Sequence, residues 1–325
     1  MNRANRTGAL AVGLLLLGHS ALAQTTPPDY GLTWKTVGAP GNSPTPPSQT
    51  NYPEGAVAYE YRLTQTEITR GQWFEFVKAY APYALTQFHG LPNGLVGSGF
   101  LNLSAGYAQP SYPATMSFDF AARYCNWLQN DKANTAAAFA QGVYDTTTFT
   151  YNADHTPNHN LTHAADARYW VPSLDEWVKG AHYDPDKNGP NQPGYWNYSG
   201  KSDVPLISGP PESGGQTNAG PIGGPHGVGS YPDVQSPWGL LDTSGGVMEL
   251  LSTFSLAPPH YPVKVGSTWS SQSEQLADYI QGAGLTLPND ATCGLRLASS
   301  VPAPGTTLIA ACPIALFFRR SRKAT

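Results

Sequence analysis

Charge is scarce in this chain: Asp, Glu, Lys and Arg make up only 12% of its 325 residues, and the formal net charge is −4. So few cations draw no basic face, which argues against nucleic acid as a partner. Long apolar runs are missing too. The two that occur, Ala9–Leu17 and the stretch from Gly305 to Phe318, fall short of the roughly 20 residues that a spanning helix needs. No G-x-S-x-G, Walker loop or H-E-x-x-H occurs, so the chain carries none of these serine-nucleophile, phosphate-loop or zinc-protease signatures. No fixed-period repeat appears. Cysteine is almost absent. Only Cys125, Cys293 and Cys312 are present, so the surroundings of each decide whether the chain can do thiol chemistry.

Glycine and proline are abundant instead, 34 and 30 residues, with 11% aromatics. That mix implies loop-rich, aromatic-packed structure rather than a bundle of long helices. The chain begins with Arg3 and Arg6, a short apolar run and Ala21-Leu22-Ala23, the three parts of a secretory signal peptide. The expected divisions are 1–23 as signal peptide, 24–54 as a Pro/Thr/Ser-rich linker, 55–300 as the folded body and 301–325 as a tail. The body is long enough for a sizeable core. From Gly189 onward it becomes dense in Gly, Pro, Asn and Ser. So long a loop inside a domain is usually functional or tied down by a ligand.

Regular structure is signalled at three places. Thr69 and Gln72 form a capping box before Trp73, Phe76, Val77 and Tyr80 at helical spacing. Ser117 is placed to cap a second helix, with Asp119 in its positive first turn and Phe118, Ala121, Cys125 and Leu128 on one face. Cys125 is thereby expected to be a packed, small hydrophobe. Ser173 and Glu176 form another capping box, opening a helix to about Ala181.

Two clusters invite a metal. Asp184, Asp186 and Asn188, followed by Gly189, match the first half of an EF-hand loop, but Tyr195 stands where a bidentate Glu is required. Calcium held with other oxygens and a plain Asp/Asn turn are the two readings. His155, His159 and His163 recur at intervals of four. Pro157 and the polar neighbours oppose a helix, so a solvated loop is expected there rather than zinc.

Seven blocks resemble the formylglycine-generating enzyme, or sulfatase-modifying factor, family, in its order across roughly residues 57–299. They are YRLTQTEIT (61–69), YPATMS (112–117), YCNWL (124–128), YWVPSLDEW (169–177), WGLLDTSGGVMEL (238–250), GSTW (266–269) and CGLRLA (293–298). The resemblance implies an irregular, loop-rich α+β fold, the variant C-type-lectin-like fold. Active members are copper-dependent oxidases with a C-x4-C pair between the blocks matching 266–269 and 293–298. Here residues 270–292 contain no cysteine. Two thiolates suit soft Cu(I), and serines at 270, 271 and 273 are poor substitutes. Copper is therefore not expected, Cys293 is expected to be a packed residue in the last strand, and it is the one weak catalytic candidate. A Cys125–Cys293 disulfide remains open outside the cytoplasm. The family's calcium sites map in part onto Asn218 and Glu249, while its Asn in the "GN" step is Gly246 here. The tail, with prolines at 302 and 304, apolar Leu308–Phe318 and a basic end, resembles the PEP-CTERM sorting signal of Gram-negative bacteria. That implies an exosortase-type partner and transient membrane contact. The other reading of the tail is a weak anchor with its basic end in the cytoplasm. Both place the body outside the cytoplasm. The expected function is a non-catalytic module binding an envelope or matrix glycan or protein. The alternative is a formylglycine-generating-type oxidase acting on sulfatase cysteines.

Overall fold

The segment Tyr61–Thr64 has all four side chains buried, as a strand covered on both faces must. In the computed structural model it is β2, the second strand of a four-stranded antiparallel sheet. β1 (Trp34–Val37) pairs with it on one side and β11 (Ala298–Ser300) on the other, and β5 (Tyr169–Trp170) pairs with β11. Segments from near both ends of the body thus meet in one sheet. The structure describes residues 26–87, 109–153, 157–220, 225–256, 260–269, 278–280, 282–286 and 292–301. Within them, Pro27–Val301 forms one compact unit. The signal-like start, His155 and the tail with Cys312 lie outside the described residues.

The stretch expected as a linker behaves differently. Trp34–Val37 makes four register pairs with β2, and Val37 is fully buried in the core. Further along, Asn42 and Gln49 donate side-chain hydrogen bonds to Gly55 O and Tyr195 O. Prolines on either side mask this strand in the composition.

Both capping boxes form. Thr69 and Gln72 exchange backbone N–H to side-chain bonds at the start of α1 (Arg70–Gln87), and Ser173 and Glu176 do so at α4 (Leu174–His182). Ser117 does sit at the N-cap of α2 (Phe118–Gln129), but its buried hydroxyl makes no capping bond. Asp119 serves a partner other than the helix end. Its carboxylate meets His159 Nε2 at 2.8 Å and accepts the Tyr151 hydroxyl at 3.0 Å. His159 is buried and stacks on Phe149, so the expected solvated loop is instead pinned to α2. His163 stacks on Trp170. The small hairpin of β3 (Thr150–Tyr151) and β4 (Pro157–Asn158) carries this contact.

Core packing is aromatic, as the composition implied. Phe76 and Tyr80 of α1 face Trp127 of α2 and Phe139 of the short α3 (Ala136–Ala140), with ring centroids 5.1–5.8 Å apart. Cys125 lies fully buried beside them. Cys125 and Cys293 are both free, so the disulfide does not form. Asn126 is fully buried as well. Its amide donates to Phe139 O and Tyr144 O and accepts from Val143 N and Tyr144 N, fixing the whole 139–144 loop.

A second cluster packs α4 against a three-stranded sheet, β8 (Glu249–Phe254), β9 (Pro262–Val265) and β10 (Ala283–Leu285), through Trp177, Val178, Ala181, Leu251, Val263 and Val265. β6 (Tyr183–Asp184) and β7 (Gly194–Tyr195) form a further hairpin. The described residues of 196–248 run mostly as turns, with a short 3-10 helix at Pro211–Ser213, as their Gly and Pro content predicts.

Candidate functional site

The block Cys293-Gly294-Leu295-Arg296 threads through the middle of the body. Met116 N donates to Cys293 O, Gly294 N to Met248 O, Leu250 N to Gly294 O and Ile68 N to Leu295 O. Three separate segments close on four residues. A side chain at Gly294 would put its Cβ 2.4 Å from Val247 Cγ2 and 3.3 Å from Ala114 O, so only glycine fits that approach.

Arg296, fully buried, ties the layers together. Its guanidinium meets Glu249 at 2.7 Å and donates to Thr64 O and Leu241 O, and Trp177 Nε1 donates to the other Glu249 oxygen at 2.7 Å. A buried ion pair survives when its remaining donors and acceptors are satisfied, as these are. Glu249, a calcium candidate from sequence, is thereby the counter-ion of Arg296.

Above this hub opens a cavity of about 490 Å³. Arg70 enters from the first residue of α1, Tyr112 from the segment that bridges to it, His226 from the long loop, Lys264 from β9 and Trp269 from the turn after it; Cys293 also lines the cavity. Arg70 lies 5.4 Å over the Tyr112 ring and donates to Gln109, which fixes its direction. Trp269 is 40% exposed, so part of its indole is open to solvent beside the cavity. The chemistry offered is a guanidinium, an ammonium, an imidazole and two aromatic faces.

Cys293 is almost fully buried, with its sulfur 3.7 Å from Thr286 Oγ1. Cys125 sits on the inward face of α2, and burial pushes its thiol far above the ordinary range. Among the described residues the cavity therefore has one thiol, and a two-thiolate Cu(I) site has no second donor there.

Asn218 and Glu67 adjoin this cavity around a much smaller void shared with His226, Asp242 and Gly246. Asn218 Oδ1 accepts the Gly246 N–H at 2.7 Å. Glu67 is buried, and neither of its carboxylate oxygens has a hydrogen-bond partner among the described residues. A Cβ on Gly246 would fall 2.3 Å from Glu67 Oε1, so glycine here makes room for that carboxyl. Burial first, then the Asp242 and Glu249 carboxylates, raise its pKa well above the usual range, with Arg296 opposing. The protonated acid is thus favoured. Burial likewise raises Asp242. Asn218 Oδ1 thus holds the Gly246 backbone, while Glu249 pairs with Arg296.

Asp184, Asp186 and Asn188 lie on the β6–β7 turn. Asp184 accepts from Asp186 N and Trp196 Nε1, Asp186 accepts from Asn191 N, and Asn188 donates to Pro193 O. Lys187 Nζ bonds to Tyr195 O and to Asp203 at 2.8 Å. The half-loop is held by its own backbone and an ammonium. Among the described residues no group of three or more His, Cys, Asp or Glu is placed to hold a metal ion.

Sequence reasoning named Cys293 and Asn218 but not Arg70, His226, Lys264 or Trp269 as site residues. Trp269 had a signal, its place in the GSTW block. The cations had none, because each comes from a different segment.

Residues 43–301 match the family model described as sulfatase-modifying factor enzyme 1-like domain. No curated protein sequence matches the chain. Among solved structures it is similar to the Treponema denticola variable protein 1, at 17% identity, TM-score 0.51 and coverage of 82% of this chain and 95% of that one. It is also similar to CarF, at 17% identity, TM-score 0.49 and coverage of 84% and 99%. A third is PvdO from Pseudomonas aeruginosa, at 14% identity, TM-score 0.46 and coverage of 82% and 94%. The T. denticola likeness agrees with the irregular α+β fold.

Proposed function

The chain belongs to the sulfatase-modifying factor family, and we propose that it uses that scaffold as an exported, non-catalytic module that binds an acidic glycan of the cell envelope or matrix. One observation carries the proposal: the cavity sets Arg70 and Lys264 around an exposed indole, Trp269, with a single buried thiol. A pyranose ring stacks on an indole face, and a guanidinium and an ammonium receive a uronate carboxylate through charge-assisted bonds. The apolar leader and the sorting-type tail support delivery outside the cytoplasm, where such polymers occur. Calcium is not needed for this recognition, since the protein supplies the positive charge itself.

The formylglycine-generating-type oxidase is retained as the second reading, because Cys293 does line the same cavity. Calorimetric titration with oligogalacturonate tests the first. Saturable binding is expected, weakening with salt. Lys264→Ala and Arg70→Ala should each lower affinity about tenfold, as loss of a charge-assisted bond predicts. Binding that is untouched by both substitutions and by Trp269→Ala would place the ligand elsewhere and refute the assignment.

A further inference from the structure

We infer that the cleft between the N-terminal segment and the β6–β7 hairpin is a second binding site, for a neutral oligosaccharide. The cleft holds about 660 Å³ and shares no lining residue with the cavity beside Trp269. Its chemistry also differs. Among the described residues its one cation, Lys187, is neutralised by Asp203 at 2.8 Å, and no other charged side chain lines it. An ionic ligand finds no net attraction there.

What the walls do carry is one accessible aromatic face, the half-buried Tyr279, beside the buried rings of Tyr183 and Tyr195, and planar amides. Tyr183 and Tyr279 are each held edge-on by another tyrosine, Tyr195 and Tyr198, with centroids 5.1 and 5.7 Å apart. Their rings are therefore fixed before a ligand arrives, which lowers the entropic cost of binding. Gln49 donates to Tyr195 O and Asn197 Oδ1, which orients both amides. Among the described residues that leaves Gln49 Oε1 as an acceptor and Asn197 Nδ2 as a donor with no protein hydrogen bond. Asp203 Oδ1 is taken by Lys187 and by Asn197 N, while its Oδ2 has no partner among the described residues. Adjacent donors and acceptors beside an aromatic face match the vicinal hydroxyls and apolar ring face of an uncharged pyranose. A charged sugar or peptide would leave its charge unpaired in this cleft.

The test uses the full chain, titrated by calorimetry with cellohexaose, mannohexaose and the N-acetylglucosamine hexamer, and with oligogalacturonate as the acidic control. At least one neutral hexamer should bind with millimolar or better affinity. Tyr279→Ala should weaken it about tenfold, and so should Gln49→Ala, which leaves both tyrosine pairs intact. Trp269→Ala should leave it unchanged, which separates this site from the one proposed above. No binding by any neutral hexamer, or binding lost with Trp269→Ala but kept with Tyr279→Ala and Gln49→Ala, would overturn the inference. Failure of oligogalacturonate to bind bears only on the other site.

Discussion

Replacing Asn126 by Ala removes the buried side chain that makes four hydrogen bonds to the 139–144 loop. Asn126 is fully buried and makes four hydrogen bonds, two donated at 3.1 and 2.9 Å and two accepted at 2.8 Å. Their loss leaves two carbonyls and two N–H groups without that partner, beside the buried Phe139, Val143 and Tyr144. At about 1 kcal/mol net for each bond, the loss is about 4 kcal/mol, and more if the freed groups stay dry. For a domain of this size that is a fall in Tm on the order of 10 °C. Asn126→Asp is expected to fare no better. It keeps the accepting oxygen, loses both donations and turns a charge toward two carbonyls. Asn130→Ala is the comparison. Asn130 also donates to loop carbonyls, at Ala138 and Gln141, but water can reach its site, so the loss should stay near 1 kcal/mol. Urea unfolding followed by near-ultraviolet circular dichroism measures all three. A loss for Asn126→Ala no larger than for Asn130→Ala would refute the claim that this amide organises the loop.

Trp127→Ala should cost roughly 3–5 kcal/mol, as truncation of a buried aromatic does, and unchanged melting would show that α2 is not packed on Phe76 and Phe139. Arg296→Leu should cost about 3–5 kcal/mol, because Glu249 is left charged and buried, and calorimetric unfolding checks it. His182 is buried, which lowers its pKa to about 4, while the unfolded chain protonates near the ordinary value of 6.5. The unfolded state therefore binds the extra proton first, and stability should fall by about 3 kcal/mol as pH drops from 6.5 to 4. His182→Phe should flatten that part of the profile in urea titrations, and an unchanged slope would contradict it. Alkylation of the native protein, read by peptide mass, should leave Cys125 unmodified until denaturant is added, since burial keeps its thiol protonated.

What was legible in the sequence was local or carried by a motif. Thr69 with Gln72 and Ser173 with Glu176 lie three residues apart, so the helix starts could be read directly. The inward stripe of Cys125 followed from helical spacing. Composition misled where a short strand sat among prolines, as at Trp34–Val37. It misled again at His159, whose partner Asp119 stands 40 positions away in the chain. Nothing nearby announces that contact. The cavity was illegible for the same reason, because its cations come from α1 and β9 and its imidazole from the long loop. The family resemblance named the blocks beside it but not the charge they would enclose. Glu249 was read as a calcium candidate because it matches the family's glutamate. Only Arg296, brought against it in space, shows how its oxygens are used.

The central claim is that this scaffold binds without oxidising, and peptide mass tests it most directly. Protein supplied with copper is incubated under oxygen with a sulfatase-type Cys-x-Pro-x-Arg peptide. With one thiol in the cavity, the peptide mass should stay that of the unmodified cysteine. Conversion to formylglycine would contradict the claim, and its loss in Cys293→Ser would make that thiol catalytic.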